Sequence, residues 1–211
     1  MNIRTNHLLK LGAGLLGVML AGCSVLPEAQ VDPTRYYVLS GPGLADAGAA
    51  AHEGTLILGL KAVRLPPYLD KISVAVRHGT NELVYNDYAR WAEPLNEGIA
   101  RVLRARLLAS PAVNRVFNYP FPFDQKRDYD IAVNVIRCEG AKEGNQAFAR
   151  FAVVMEITTG GENSRLVTRR MFSAPERAWD GRDYAALVQA LSDDVGDLCA
   201  EVVAALPAAG K

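Results

Sequence analysis

Alternation of hydrophobic and polar positions predicts β-strands along most of the chain. The clearest example covers residues 72–77, where isoleucine or valine occupies every second position, as is typical of a half-buried strand. Strand-like segments are predicted at residues 35–39, 56–63, 72–76, 82–85, 113–117, 129–138, 148–158 and 165–172. Glycine-containing turns at residues 140–144 and 160–161 separate the last three segments, which predicts an antiparallel meander.

Two other segments have the period of an amphipathic helix. The first begins near Pro94, since proline suits a first helical position, and ends at Ser110-Pro111. Its apolar stripe is Leu95, Ile99, Val102, Leu103 and Leu107. The second covers about residues 182–206, and its stripe is Tyr184, Leu187, Leu191, Val195, Leu198 and Val202. We therefore expect an α+β fold, a mainly antiparallel sheet with two amphipathic helices packed on one face.

The first 23 residues have a different pattern. Arg4 and Lys10 accompany an apolar run at residues 11–20, which has the length of a signal-peptide core and is too short to span a bilayer. The run ends in Leu-Ala-Gly-Cys at residues 20–23, which resembles the lipobox of bacterial lipoproteins. That resemblance implies cleavage before Cys23, a diacylglyceryl group on its thiol and three acyl chains in all on the new N-terminal cysteine, which together make a durable membrane anchor.

The rest of the chain divides into a tether, one domain and a tail. Residues 1–22 are predicted to be the signal peptide, 23–33 the lipidated N-terminus and tether, 34–207 a single α+β domain, and 208–211 a C-terminal tail. Ser24 follows the cysteine where many lipoproteins retained at the inner membrane have aspartate. By that resemblance we expect the protein on the periplasmic face of the outer membrane.

Charge and motif content argue against nucleic-acid binding and catalysis. The 23 basic and 23 acidic residues balance, and no clustered basic surface is evident of the kind that binds phosphate backbones. His52 and His78 lie in predicted loops without further ligands at metal-site spacing. No nucleophile elbow, phosphate loop or dinucleotide fingerprint occurs. We therefore predict no enzymatic activity, no metal, no cofactor and no nucleic-acid partner.

The two cysteines beyond the lipobox allow two interpretations. Cys138 and Cys199 could form a disulfide in the oxidising periplasm, joining the first meander strand to the last helix. Closing so long a loop would stabilise the fold by roughly 3–4 kcal/mol. Alternatively, both are buried free thiols.

An aromatic loop is the most exposed-looking apolar cluster. Tyr119, Phe121 and Phe123 alternate with prolines, and Lys126 and Arg127 follow. The loop either contacts lipid or a partner protein, where aromatic side chains are enriched, or folds back on its own core. The same two interpretations apply to Trp91, which precedes the first helix and is either a contact residue or a cap on the core.

Several motifs, in this order, carry a resemblance to a known family. They are Tyr36-Tyr37-Val38-Leu39, Leu65-Pro66-Pro67-Tyr68-Leu69-Asp70, and Arg90-Trp91-Ala92-Glu93-Pro94-Leu95 running into Arg101-Val102-Leu103. Together with the lipobox, they resemble the ABC-type transport auxiliary lipoprotein family, which includes the paraquat-inducible lipoprotein C group. The resemblance implies a non-enzymatic component that works with MCE (mammalian cell entry) domain proteins and an ABC permease to move lipids between the two membranes and maintain their integrity.

Two further hypotheses come from the residues themselves. A scaffold or assembly-factor lipoprotein for another outer-membrane protein or lipopolysaccharide complex would have the same general features. In addition, Pro66 and Pro67 shape a sheet edge, and an exposed edge can add strands from a neighbouring subunit. A homo-oligomer is therefore a separate hypothesis.

Overall fold

The computed structural model describes residues 31–41 and 54–207. The predicted lipid attachment at Cys23 lies outside the described residues, as do the signal peptide and His52. Thr34–Lys211 form one compact unit, whose buried hydrophobic residues run from Leu39 to Val202. A chain that keeps this unit therefore keeps its entire described core.

Nine strands and two helices form within the described ranges. The strands are β1 (Arg35–Tyr37), β2 (Leu56–Leu60), β3 (Ser73–His78), β4 (Glu82–Trp91), β5 (Val113–Asn118), β6 (Tyr129–Glu143), β7 (Gln146–Thr159), β8 (Leu166–Ser173) and β9 (Arg177–Trp179). The helices are α1 (Leu95–Leu108) and α2 (Tyr184–Ala205). Both helices lie where the amphipathic stripes predict them, and the stripe residues are buried except Tyr184, which is partly buried.

A long antiparallel hairpin, β6–β7, forms the centre of the sheet. It is paired from Tyr129 opposite Thr159 to Glu143 opposite Gln146, so the turn is shorter than the predicted one. Gly140 is part of β6 rather than of the turn. A Cβ at Gly140 would lie 2.9–3.3 Å from side chains of Trp179, Leu187 and Val76. This glycine therefore allows the strand to pack closely against α2.

On its other edge, β6 pairs with two successive segments that run parallel to it, first residues 58–64 and then β3. Leu58–Leu60 pair with residues 129–131, Arg64 bridges Asn134, and residues 76–78 of β3 pair with 140–142. Residues 65–72 leave this ladder, and the two prolines among them have no N–H to donate to it. We call residues 65–72 the excursion.

The predicted α+β class and the mainly antiparallel sheet are confirmed, but the parallel pairings in the N-terminal half were not predicted. The pairings β1–β4 and β2–β5 are also parallel, so the sheet is mixed. The meander itself is antiparallel as predicted, with β8 and the unpredicted β9 both pairing with β7. Short turns reveal antiparallel neighbours in a sequence, whereas parallel neighbours are distant in it.

The two helices pack together on one face of the sheet, as expected. Alternate residues of β6 and β7 point toward the helices and are almost completely buried; they include Ile131, Val133, Phe151, Val153, Met155 and Ile157. The intervening positions Ala132, Asn134 and Glu156 are only partly buried. They lie on the opposite surface of the sheet, which we call the helix-free face. Neither described helix is long and apolar enough to cross a membrane.

Candidate functional site

A concavity of about 510 Å³ opens on the helix-free face. Its lining residues are Lys61, Ala62, Arg64, Tyr119, Phe121, Ala132, Asn134, Glu156 and Arg169. Ala132 lies opposite Glu156, and Glu156 lies opposite Arg169, so these three side chains form a row across three strands. The small side chain of Ala132 leaves space in the middle of the sheet surface.

Two cations on one side of the concavity are placed by the parallel ladder. The backbone N–H of Lys61 donates to the Ile131 carbonyl at 2.8 Å, and that of Arg64 donates to the Val133 carbonyl at 3.0 Å. These bonds fix both residues beside β6. Neither side chain has a hydrogen-bond or ion-pair partner in the part of the chain that the structure describes.

The third cation is only loosely paired. Arg169 Nε lies 4.0 Å from Glu156 Oε2, and the Arg169 side chain is 66% exposed. Glu156 is the one carboxylate among the described lining residues, so it opposes one of three cations. The concavity therefore has an excess of positive charge, which favours anions.

The aromatic loop forms one rim of the concavity. The rings of Tyr119 and Phe121 meet edge to face with centroids 5.7 Å apart. The Arg127 guanidinium carbon lies 4.0 Å from the Phe121 centroid, and Arg127 Nε lies 2.7 Å from Oδ1 of the buried Asp130. This series of contacts fixes the base of the loop.

Phe123 differs from the other two aromatic residues of the loop. Its side chain is 99% exposed, whereas Phe121 is partly buried beneath Arg127. The two interpretations of the loop thus apply to different residues. Phe121 is held against the domain, and Phe123 projects into solvent.

Trp91 lies elsewhere and is a core residue. It is only 5% exposed and belongs to the main hydrophobic cluster, which leaves little ring surface for a partner. It also lines a separate concavity of about 290 Å³, together with Asp70, Lys71, Ile72, Ala92, Glu93, Pro94 and Leu95. The structure therefore does not bring Trp91 together with the aromatic loop.

Cys138 and Cys199 are both buried and are not bonded to each other in the structure, and the disulfide stays a prediction. Burial, and then the negative charges of Asp194 and Glu139, raise the pKa of the Cys138 thiol. Burial raises the pKa of Cys199 to about 11, against the opposing effect of Arg106. Both thiols are therefore poorly reactive.

The sequence did not single out Lys61, Arg64, Glu156 or Arg169. The alternation of β7 already put Glu156 on the polar side of its strand, whereas β8 shows no such alternation, because Met171 shares the side of Arg169 and Arg170 pairs with Glu201 of α2. The position of Lys61 and Arg64 depends on parallel pairing with β6, for which the local sequence holds no signal. Over residues 31–41 and 54–207, no group of three or more His, Cys, Asp or Glu is arranged to hold a metal ion.

Comparison with known proteins gives a family match and a shared fold. A family model described as an ABC-type transport auxiliary lipoprotein component matches residues 37–203. The crystal structure of a Xanthomonas campestris protein of the DUF330 family is 20% identical, with a TM-score of 0.64 over 80% of this chain and 92% of that chain. The crystal structure of an uncharacterized protein is 19% identical, with a TM-score of 0.63 over 81% and 97%. No curated protein matches the chain.

Proposed function

Since the chain belongs to the family of ABC-type transport auxiliary lipoprotein components, we propose that it is the non-enzymatic, lipid-anchored accessory subunit of a system that moves lipids with an MCE-domain partner. The observation that carries this proposal is the family match over residues 37–203. It covers most of the compact unit Thr34–Lys211. The motif order noted in the sequence points to the same family.

The proposed anchor is the lipidated Cys23, inserted in the outer membrane. The apolar run and the Leu-Ala-Gly-Cys sequence at residues 20–23 support it. Ten residues separate Cys23 from Thr34, and a chain of that length can extend at most roughly 35 Å. The domain would thus stay close to the periplasmic surface of the bilayer, where it would receive the outer end of an MCE assembly and help maintain membrane integrity.

Partner capture tests the proposal. The lipidated protein is cross-linked in intact cells, extracted from membranes and purified, with the Cys23→Ser variant as the unanchored control. We expect an MCE-domain protein and an ABC permease to co-purify with the wild type, and less of both with the control. Recovery of a barrel assembly or lipopolysaccharide complex instead would replace the proposal with the scaffold alternative.

The anchor has its own test. Cells are labelled with a tagged fatty acid, and their inner and outer membranes are separated by density. We expect labelled protein in the outer-membrane fraction, and neither label nor membrane association for Cys23→Ser. A wild-type protein without label would remove the basis for the anchor, whereas labelled protein in the inner-membrane fraction would correct only its location.

A further inference from the structure

We propose that the concavity on the helix-free face binds the phosphodiester headgroup of an anionic glycerophospholipid. This inference deepens the proposed function and rests on it, because lipid is the cargo which that function implies. The residues assigned to the headgroup are Lys61, Arg64 and Arg169, with Tyr119 and Phe121 at the rim.

The positive charge around the concavity is largely unneutralised. Some arginines of the domain, such as Arg77, have a carboxylate oxygen at 2.5 Å, whereas others, such as Arg137, have none among the described residues. The concavity differs in that three cations share its lining. Around the concavity, Lys61 and Arg64 have no partner among the described residues, and Arg169 meets Glu156 only at 4.0 Å. Two of the three cations are thus unopposed. Cationic side chains that converge without a counter-charge are complementary to an anion such as a phosphodiester.

The lining of the concavity combines polar and apolar surface. The volume of about 510 Å³ lies within the range of roughly 300–1,000 Å³ found for ligand sites. Tyr119, Phe121 and Ala132 provide apolar surface beside the cations. An inorganic anion would leave that surface unused, whereas the glycerol and first methylenes of a lipid would cover it.

The end of the aromatic loop beside the concavity is exposed to solvent. Phe123 is 99% exposed and Tyr119 is 63% exposed, and Lys126 is exposed close by. Exposed aromatic rings next to cations are typical of surfaces that lie at the membrane interface. This arrangement would bring the mouth of the concavity to the headgroup region, which favours a lipid over a soluble phosphate.

Titration with a short-chain lipid tests the site without the membrane anchor. A chain that begins at Ser24 retains every described core residue and lacks Cys23. Dihexanoylphosphatidylglycerol is added below its micelle concentration, and binding is measured by calorimetry and amide chemical shifts. We expect saturable binding, with inorganic phosphate at least about tenfold weaker because it gains no apolar contact.

Single substitutions locate the site. Lys61→Gln and Arg64→Gln should each weaken lipid binding by about tenfold, since each removes a charged hydrogen bond to phosphate. Arg182→Gln removes the same charge from an exposed residue just before α2 and should leave binding unchanged. Ala132→Leu fills the middle of the concavity without a change of charge and should abolish lipid binding. Cooperative unfolding in urea would show that this variant is folded.

Three results would overturn this inference. They are the absence of saturable lipid binding, inorganic phosphate binding as tightly as the lipid, and equal losses in Arg182→Gln and Arg64→Gln. The last would indicate general attraction to a charged surface. Partner capture distinguishes this failure from failure of the proposed function, because an MCE-domain protein captured by a chain that binds no headgroup leaves the accessory role intact.

Discussion

Arginine has opposite roles at the two ends of the helix-free face. At one end, Arg77 forms two hydrogen bonds with Glu139, at 2.5 Å and 3.2 Å, and the Glu139 side chain is completely buried. At the other end, Arg64 lies beside the concavity without a partner among the described residues. Both arginines are on segments that run parallel to β6, so strand position alone does not separate them.

The two arginines differ because a side chain of the excursion covers Arg77. The excursion carries Tyr68 across Arg77, with the guanidinium carbon 5.4 Å from the ring centroid. The Tyr68 hydroxyl donates to the Ile136 carbonyl at 2.8 Å. Burial and then the Glu139 carboxylate raise the pKa of Tyr68 to about 12, so the phenol keeps its proton and remains a donor. Covered charges in close pairs support the fold, whereas uncovered, unpaired charges are available to a ligand.

The largest expected effect is at the covered end. Glu139→Ala should lower the free energy of unfolding by about 3–5 kcal/mol, because it leaves the Arg77 guanidinium, 14% exposed, without its counter-charge. Urea unfolding measures the change. The matched control is Glu143→Ala, which removes a 49% exposed partner of Arg150 and should cost less than about 1 kcal/mol.

A double variant distinguishes the contribution of the Arg77–Glu139 charge pair from that of side-chain packing. Replacing both partners, Arg77→Met with Glu139→Leu, should cost less than Glu139→Ala alone, because no unpaired charge remains buried. A similar loss in the double variant and in Glu139→Ala would mean that shape, rather than charge pairing, determines stability at this end.

The next largest effect is expected at Asp194, a buried carboxylate with only one of its two oxygen atoms paired. Its Oδ1 lies 2.7 Å from Arg177 Nε, but its buried Oδ2 has no partner. Burial raises the pKa of Asp194 to about 6, against the opposing effect of Arg177, while Asp197 and Asp193 add smaller upward contributions. The native protein therefore holds a proton on Asp194 in a pH range where the unfolded chain has lost it.

The contribution of this protonation to the free energy of unfolding should be fully present below about pH 4. It should be lost as the pH rises through about 6. The change is up to about 3 kcal/mol, because each pKa unit corresponds to about 1.4 kcal/mol. Urea unfolding at pH 4.5 and 7.5 measures it against Asp194→Asn, which should show a correspondingly smaller loss between the two values. Parallel pH profiles for the wild type and Asp194→Asn would contradict the assignment.

These sites mark where sequence reasoning was sufficient and where it was not. The stripes of α1 and α2 and the alternation in β7 depend on local periodicity, so their elements and buried faces were predictable. The pairing of β2 and β3 with β6 joins segments more than sixty residues apart, and no local pattern encodes it. Lys61 and Arg64 could be recognised as polar, but not as neighbours of Ala132 and Asn134.

Glycine and aromatic residues show the same limit. Gly140 resembled a turn residue until its neighbours Trp179 and Leu187 were known. Phe121 and Phe123 are equivalent in the sequence pattern, and only the contacts of Phe121 with Arg127 and Tyr119 in the fold distinguish them. Three-residue β9 has too few positions to show alternation.

A smaller difference in stability is expected between substitutions of Phe121 and Phe123 in the aromatic loop. Phe121→Ser should lower the free energy of unfolding by about 1–2 kcal/mol, because it removes the Arg127 contact and the edge-to-face contact with Tyr119. Phe123→Ser should change it by less than about 0.5 kcal/mol, as expected for an exposed residue. Thermal and urea unfolding of both variants measure the difference. Equal losses would mean that Phe123 also packs on the domain.

The smallest expected effect on stability is at the open end. Lys61→Gln and Arg64→Gln should each change the free energy of unfolding by less than about 0.5 kcal/mol, because neither side chain has a partner to lose. A small gain is compatible with relief of repulsion among the three cations. Urea unfolding in low salt, where screening is weakest, is the sensitive measurement. A loss above about 1 kcal/mol at either position would make that residue part of the fold, as Arg77 is, and the two ends of the face would no longer differ in kind.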